Sequence, residues 1–258
     1  MSNTIQSYNY LTSNNRITNS NIDSYTINTV DYTNLCDCLK SDMDGFFLNA
    51  ILSYSSAIDG LMKKSFSWAT IKLYYTLFYS LKAELSRNGF IIFYHNGKLF
   101  SGLNQVGEQF KPLKGTSHEA IFKLFSTKFP QNKFVINDID NSKSFEWFKE
   151  NREHVNYRIN PMSDPQVSSL YLKPISNLRV WISNYIQDTN TNIYTFDNEH
   201  AYLAFTTQII EDLFTEYSNI NRKNLYLNEC NFKYIKTNFT DKSGPISVLI
   251  HRLNQIKK

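Results

Sequence analysis

The segment 67–88 constrains the whole chain. Its apolar residues Ile71, Tyr74, Phe78, Leu81 and Leu85 recur at alternating steps of three and four, the period that stacks side chains on one face of an α-helix. Ser65 or Ser67 can cap its start, and Gly89 closes it as a C-terminal cap. An amphipathic helix of this strength has to bury its stripe against neighbours, so the rest of the chain is read for partners.

Several segments qualify. Phe47, Ile51, Tyr54, Ile58 and Leu61 keep helical spacing through Met62 and predict a helix over 43–62. Ser117-His118-Glu119-Ala120 opens a short helix that Pro130 ends. Ser142 or Ser144 starts another through Phe145, Trp147, Phe148 and Val155, which stops ahead of Asn160-Pro161 because the residue before a proline avoids helical torsions. A helix over 165–187 is kinked or broken at Pro174. Asn198 caps a long helix to about 219, and Ser243-Gly244-Pro245 opens a last one through Ile256. Between the helices, Asn96-Gly97 joins Ile91-Ile92-Phe93-Tyr94 to Leu99-Phe100 as a tight hairpin.

The expected fold is therefore mainly α, a helical bundle with a small β-hairpin insertion at about 90–104. The first forty residues are rich in Ser, Thr, Asn and Tyr with few aliphatics. They read as an extended N-terminal arm with one strand near 25–30. The predicted division is an arm over 1–42, a bundle over 43–190 and a C-terminal extension over 191–258.

With 258 residues and 41% hydrophobic content the chain can bury a sizeable core. No window approaches the roughly 20 uncharged apolar residues of a membrane span, and residues 1–10 lack the charge and apolar run of a secretory signal. The expected location is the cytoplasm, with no membrane partner. Cys36, Cys38 and Cys230 are too few for a disulfide framework. A tetrahedral zinc site wants four ligands and no second pair lies near Cys36-x-Cys38, so ordinary thiols and no metal are expected. The eight glycines form no phosphate-cradling loop, and nucleophile-elbow and His-Glu-x-x-His motifs are missing, so no cofactor is expected.

The net charge of +4 permits a polyanion without requiring one. Over 221–258 eight basic residues, Arg222, Lys223, Lys233 and Lys236 among them, face two acidic ones. Tyr226, Phe232, Tyr234 and Phe239 are interleaved with them, a pattern suited to RNA phosphates and bases. It suits an acidic protein partner equally.

The densest polar chemistry runs from Trp147 to Asn160. At about 100° per residue an α-helix there sets Arg152 beside Lys149 and Asn156, and His154 beside Glu150 and Arg158. The first face pairs a cation with an amide, suited to holding a phosphate and orienting a hydroxyl. The second carries an imidazole that Glu150 orients and Arg158 acidifies, as a general acid or base requires. The competing reading is a solvated helix end laced by charge pairs worth about 0.3–0.5 kcal/mol each. His95, His118, His200 and His251 are isolated in sequence and read as surface or satisfied polar groups.

Two segments carry a family resemblance. Ser67-Trp68-Ala69-Thr70-Ile71-Lys72-Leu73-Tyr74-Tyr75-Thr76-Leu77-Phe78, continuing to Leu85, resembles the second helix of HEPN-type bacterial domains, and 152–158 falls where those domains place their functional helix. The likeness spans roughly 43–187. It implies a helical bundle, usually a two-fold dimer, of the kind found in toxins, antitoxins and antiphage proteins, many of them metal-independent ribonucleases with an Arg followed four to six residues later by His. Arg152 takes the arginine's place. The histidine is where this sequence departs, since Asn156, Tyr157 and Arg158 stand at those positions and His154 comes earlier. Two functional readings stay open. One is an RNA-directed effector with Arg152, Asn156 and His154 in catalytic roles and Lys149 and Arg158 on the nucleic acid. The other is a non-catalytic subunit that holds a larger enzyme, such as an ATPase, in check.

Overall fold

The computed structural model describes residues 5–13, 15–158, 162, 164–219 and, further on, 229, 230, 233, 234, 247, 250, 251 and 254. The helix expected over 243–256 lies mostly outside the described residues. The long helices are α1 (Gln6–Ser13), α2 (Thr29–Met62), α3 (Phe66–Arg87), α4 (Ser117–Lys128), α6 (Ser144–Glu153), α7 (Leu178–Gln187) and α8 (Ala201–Asn219), with a short α5 (Lys133–Ile136). Strands β1 (Phe90–His95), β2 (Lys98–Leu103) and β3 (Lys111–Pro112) form one antiparallel sheet, and β4 (Asp138–Ile139) pairs with β5 (Ser142–Lys143). The fold is mainly helical with a small antiparallel sheet. No described helix is long and apolar enough to cross a membrane.

The chain divides into two compact units, one made from Met1–Phe47 and Leu81–Thr127, the other from Leu48–Ser80 and Lys128–Lys258. Both α2 and α3 begin in one unit and end in the other, so this division cuts across the sequence boundaries expected at 42 and 190.

In the first unit the hairpin forms where Asn96-Gly97 places it. Asn96 and Gly97 have φ of 47° and 74°, the paired positive torsions of a turn whose twist matches that of the strands. The register sets Phe93 opposite Phe100 and His95 opposite Lys98. β3, which the sequence reading lacked, adds to the outer edge of β2 through Phe100 and Pro112.

The N-terminal segment is packed and partly helical, not the extended arm expected over 1–42. Leu11, Ile17, Ile22 and Ile27 are buried with Leu35, Leu39, Ile91, Phe93, Phe100 and Phe110 in one apolar cluster, and Tyr8 stacks on Phe93 at 5.3 Å. The segment is helical at both ends, and the strand expected near 25–30 is reduced to a single bridge between Thr26 and Gln109. Two carboxylates on α2 explain this. Asp42 accepts from the backbone N–H groups of Gln6 (2.5 Å) and Ser7 (3.1 Å) and so caps α1 from a neighbouring helix. Asp31, with a side chain only 2% exposed, accepts from Tyr10 Oη (2.8 Å), Tyr25 Oη (2.6 Å) and Arg16 Nε (2.5 Å). Burial alone lifts the Asp31 carboxyl, but the bonds from Tyr25, Arg16 and Tyr10 outweigh it and hold it below the usual carboxylate range.

In the second unit α8 is the centre. Every residue from 201 to 210 is buried, as befits a helix enclosed on all sides. Phe205 meets Phe134 at 4.7 Å and Phe148 at 4.9 Å, and Tyr202 stacks on Phe148 at 4.5 Å. The Tyr202 hydroxyl lies 3.3 Å from the Thr70 carbonyl and 3.4 Å from that of Phe148, which joins α3, α6 and α8 at one point. The helix expected over 165–187 breaks at its proline into 3-10 turns, Ser169–Tyr171 and Pro174–Asn177, before α7. Asn177 then caps α7 by accepting from Val180 N at 3.3 Å.

Candidate nucleic-acid interface

α6 does not run on as an α-helix through Arg158. It ends at Glu153, and His154–Arg158 form a π-helical turn with wider i→i+5 spacing. The His154 N–H is shared between the carbonyls of Asn151 and Glu150, the bifurcated pattern common where a helix changes its winding. Such π turns cluster at functional sites.

The turn decides what surrounds Arg152. In an α-helix the residue four positions on would share its face, which is why Asn156 was expected beside it. With the wider turn, it is the ring of Tyr157, five positions on, that lies 5.2 Å from the guanidinium carbon. From α3, the Tyr74 ring lies at 5.5 Å. Both are within cation-π range. Tyr75 stands beside the same group as a hydrogen-bonding neighbour. Burial by itself pulls the Arg152 pKa down, but Tyr157, Tyr75 and Tyr74 more than offset this, so the net shift is upward and the side chain keeps its charge. Arg152 Nε is buried and without a hydrogen-bond acceptor among the described residues.

The other expected site residues are distributed around this centre. Lys149 Nζ is 3.9 Å and Arg158 Nη2 4.0 Å from the two oxygens of Glu153, so one carboxylate is straddled by two cations at loose distance. Arg158 is exposed, Lys149 and Asn156 are half-buried, and His154 is exposed. The α-helical spacing that set His154 beside Arg158 does not hold within the π turn. Lys233 is exposed, whereas Arg222, Lys223 and Lys236 lie outside the described residues.

Of the remaining histidines, His95 and His200 are buried. His95 meets Tyr8 Oη at 3.3 Å and Asn19 Oδ1 at 2.9 Å, and His200 Nδ1 meets Tyr185 Oη at 2.8 Å. Both serve as polar links inside aromatic surroundings. Burial, reinforced by Asp42 and Asp37, pushes the Cys38 thiol up to about 11, so it is protonated and a poor metal ligand at neutral pH. Among the described residues no group of three or more His, Cys, Asp or Glu side chains is placed to hold a metal ion.

Sequence reasoning missed the three tyrosines that frame Arg152. Tyr74 and Tyr75 stood out only as a helical pair, and Tyr157 only as one of the residues where a histidine was sought. A break in α-helical winding after Glu153 would have pointed to Tyr157, but nothing in the residue types from 154 to 158 forces that break.

Protein-family models, curated proteins and solved structures offer no match to this chain.

Proposed function

We propose that this chain is an RNA-directed, HEPN-like effector of a toxin or antiphage defence system, with Arg152 as its phosphate-gripping residue. The observation that carries the reading is a half-buried guanidinium framed by Tyr74, Tyr75 and Tyr157 and bonded to no carboxylate among the described residues. An arginine kept for the fold is usually paired with an acid; one held by rings keeps its donors for an incoming anion. Tyr157, 69% exposed, offers its outer face to a base.

In the cleavage version, the ribose 2′-oxygen bonds to the adjacent phosphorus, the 5′-oxygen leaves, and a proton passes from the first to the second. Arg152 offsets the charge that grows on the non-bridging oxygens. His154 is exposed and available as proton carrier, with Asn156 orienting the reacting group and Lys149 and Arg158 on the flanking phosphates. A two-fold dimer, as the family resemblance implies, would place two such sites along one groove.

The second reading is a non-catalytic subunit that restrains a larger enzyme, for instance an ATPase. It is favoured by one feature: a tyrosine packed on Arg152 stands where the family's histidine is expected.

Purified protein incubated with total RNA in excess chelator separates the two. The effector reading expects cleavage that leaves cyclic phosphate ends and falls about 100-fold or more in Arg152→Ala, the scale of losing one transition-state donor. Equal cleavage by Arg152→Ala removes these residues from the mechanism. No cleavage by the natural sequence, together with a stoichiometric protein partner and no bound RNA, establishes the second reading.

A further inference from the structure

We infer that the outer face of α3 is a stacking platform for the unpaired bases of single-stranded RNA, an inference that rests on the RNA reading of Arg152. From 66 to 81 only Trp68, Lys72, Tyr75 and Tyr79 escape burial. Their steps of four, three and four put them on one side of the helix. The solvent stripe of an otherwise buried helix is ordinarily polar or charged, because large rings gain nothing there. Here three of the four residues are aromatic, and Trp68 is 53% exposed.

The stripe extends about 16 Å at the helical rise of about 1.5 Å per residue. Tyr75 and Tyr79 lie 6.0 Å apart with planes inclined by 28°, so their rings share an orientation. Lys72 stands exposed between Trp68 and Tyr75, and Tyr75 carries the stripe to Arg152. Rings alone would suit any apolar partner and cations alone any polyanion. Rings and cations in alternation suit a strand that offers π faces and phosphates together. A duplex keeps its base faces inside the stack and would find only the charge.

A second copy of the chain fits less well. A two-fold contact through this face adds the Lys72 and Arg152 cations of both subunits to one interface, and no carboxylate stands on the stripe to offset them.

Tryptophan fluorescence during titration with a single-stranded RNA of about 12 nucleotides, and with the same sequence as a duplex, tests the inference. Trp68 is exposed, Trp181 half-buried and Trp147 buried, so stacked bases quench Trp68 emission, and the part of the quenching that disappears in Trp68→Phe belongs to it. The expected result is quenching by the single strand, tighter single-strand than duplex binding, and a loss of about tenfold or more in single-strand affinity for the Trp68→Ala/Tyr79→Ala variant with duplex affinity unchanged. Trp68→Phe/Tyr79→Phe keeps most of the affinity, and Lys72→Gln weakens single strand and duplex alike. Trp68 and Lys72 are exposed and Tyr79 half-buried, and an unchanged melting temperature shows the fold is kept.

Unaltered single-strand binding by the double alanine variant, or equal competition by duplex, overturns the platform. If RNA binding is then still lost in Arg152→Ala, the reading of Arg152 stands alone; if it persists there too, that reading fails as well. A natural dimer that Trp68→Ala converts to monomer identifies the stripe as a subunit contact and also overturns the inference.

Discussion

The Ser7 hydroxyl donates a 2.5 Å hydrogen bond to Asp42, whose carboxylate also takes the Gln6 and Ser7 backbone N–H groups. A short polar helix thus has its N-terminal cap supplied by a residue on another helix. Asp42→Ala leaves those N–H groups without their acceptor and should lower the unfolding free energy by about 1–2 kcal/mol, as for other lost caps. Urea unfolding gives the energy, and hydrogen exchange over residues 6–13 shows where it is lost. Undiminished protection there would show that α1 holds without its cap.

Asp31 gathers three donors in a nearly dry site, so Asp31→Asn should be more damaging, at about 3 kcal/mol, because it removes the counter-charge of Arg16 and replaces one accepting oxygen with a donor. The pH dependence has a definite sign. A carboxyl whose folded pKa is depressed contributes stability that is present above its unfolded pKa, about 3.9, and is lost as pH falls through the folded value. Acid melts of the natural chain should therefore fall more steeply below pH about 4 than those of Asp31→Asn. Parallel curves would remove Asp31 from the acid transition.

Gly102 on β2 faces Phe110 so closely that an added Cβ would sit 2.7 Å from its Cδ1. Phe110 is 2% exposed and cannot swing away. Gly102→Ala should therefore cost about 1–3 kcal/mol through overpacking, read as a lower urea midpoint with an unchanged slope. A neutral result would mean that the hairpin shifts to make room.

Tyr157 tests the cation-π frame separately from the charge. Tyr157→Phe keeps a ring over Arg152 and should bind RNA within about twofold of the natural chain, whereas Tyr157→Ala should lose about fivefold or more. Equal affinities for the two variants would show that the ring is not what positions the guanidinium.

His200 Nδ1 lies 2.8 Å from Tyr185 Oη, and burial lowers its pKa. The folded state therefore resists the proton that the unfolded chain takes up, so the contribution is present above the unfolded value of about 6.5 and lost as pH falls below it. Melting temperatures taken downward from pH 7.5 should drop for the natural chain and less for His200→Gln. An equal drop in both would assign the effect elsewhere.

The hairpin, α3, α4 and α8 were legible because their signals are local: Asn96-Gly97, the period from Ile71 to Leu85, Ser117 with Pro130, and the run after Asn198. The N-terminal helices were not, although Leu35, Leu39 and Met43 already sit at i, i+4 and i+8. Exposed polar residues between them masked the period, and the donors that fix α1 and the start of α2 converge on Asp42 and Asp31 only after folding. At the candidate site the sequence drew attention to Arg152 but assigned its neighbours by α-helical geometry. A widened turn brings the Tyr157 ring to Arg152, and no residue type announces such a turn.

Because α2 and α3 leave the first compact unit and return to it, neither unit is a continuous piece of chain. On the ribosome, the segment from Leu48 to Ser80 emerges well before α8, the buried helix on which its apolar side will pack. The nascent protein must carry that greasy excursion unshielded until α8 has followed it, an interval in which exposed apolar surface is open to misassembly.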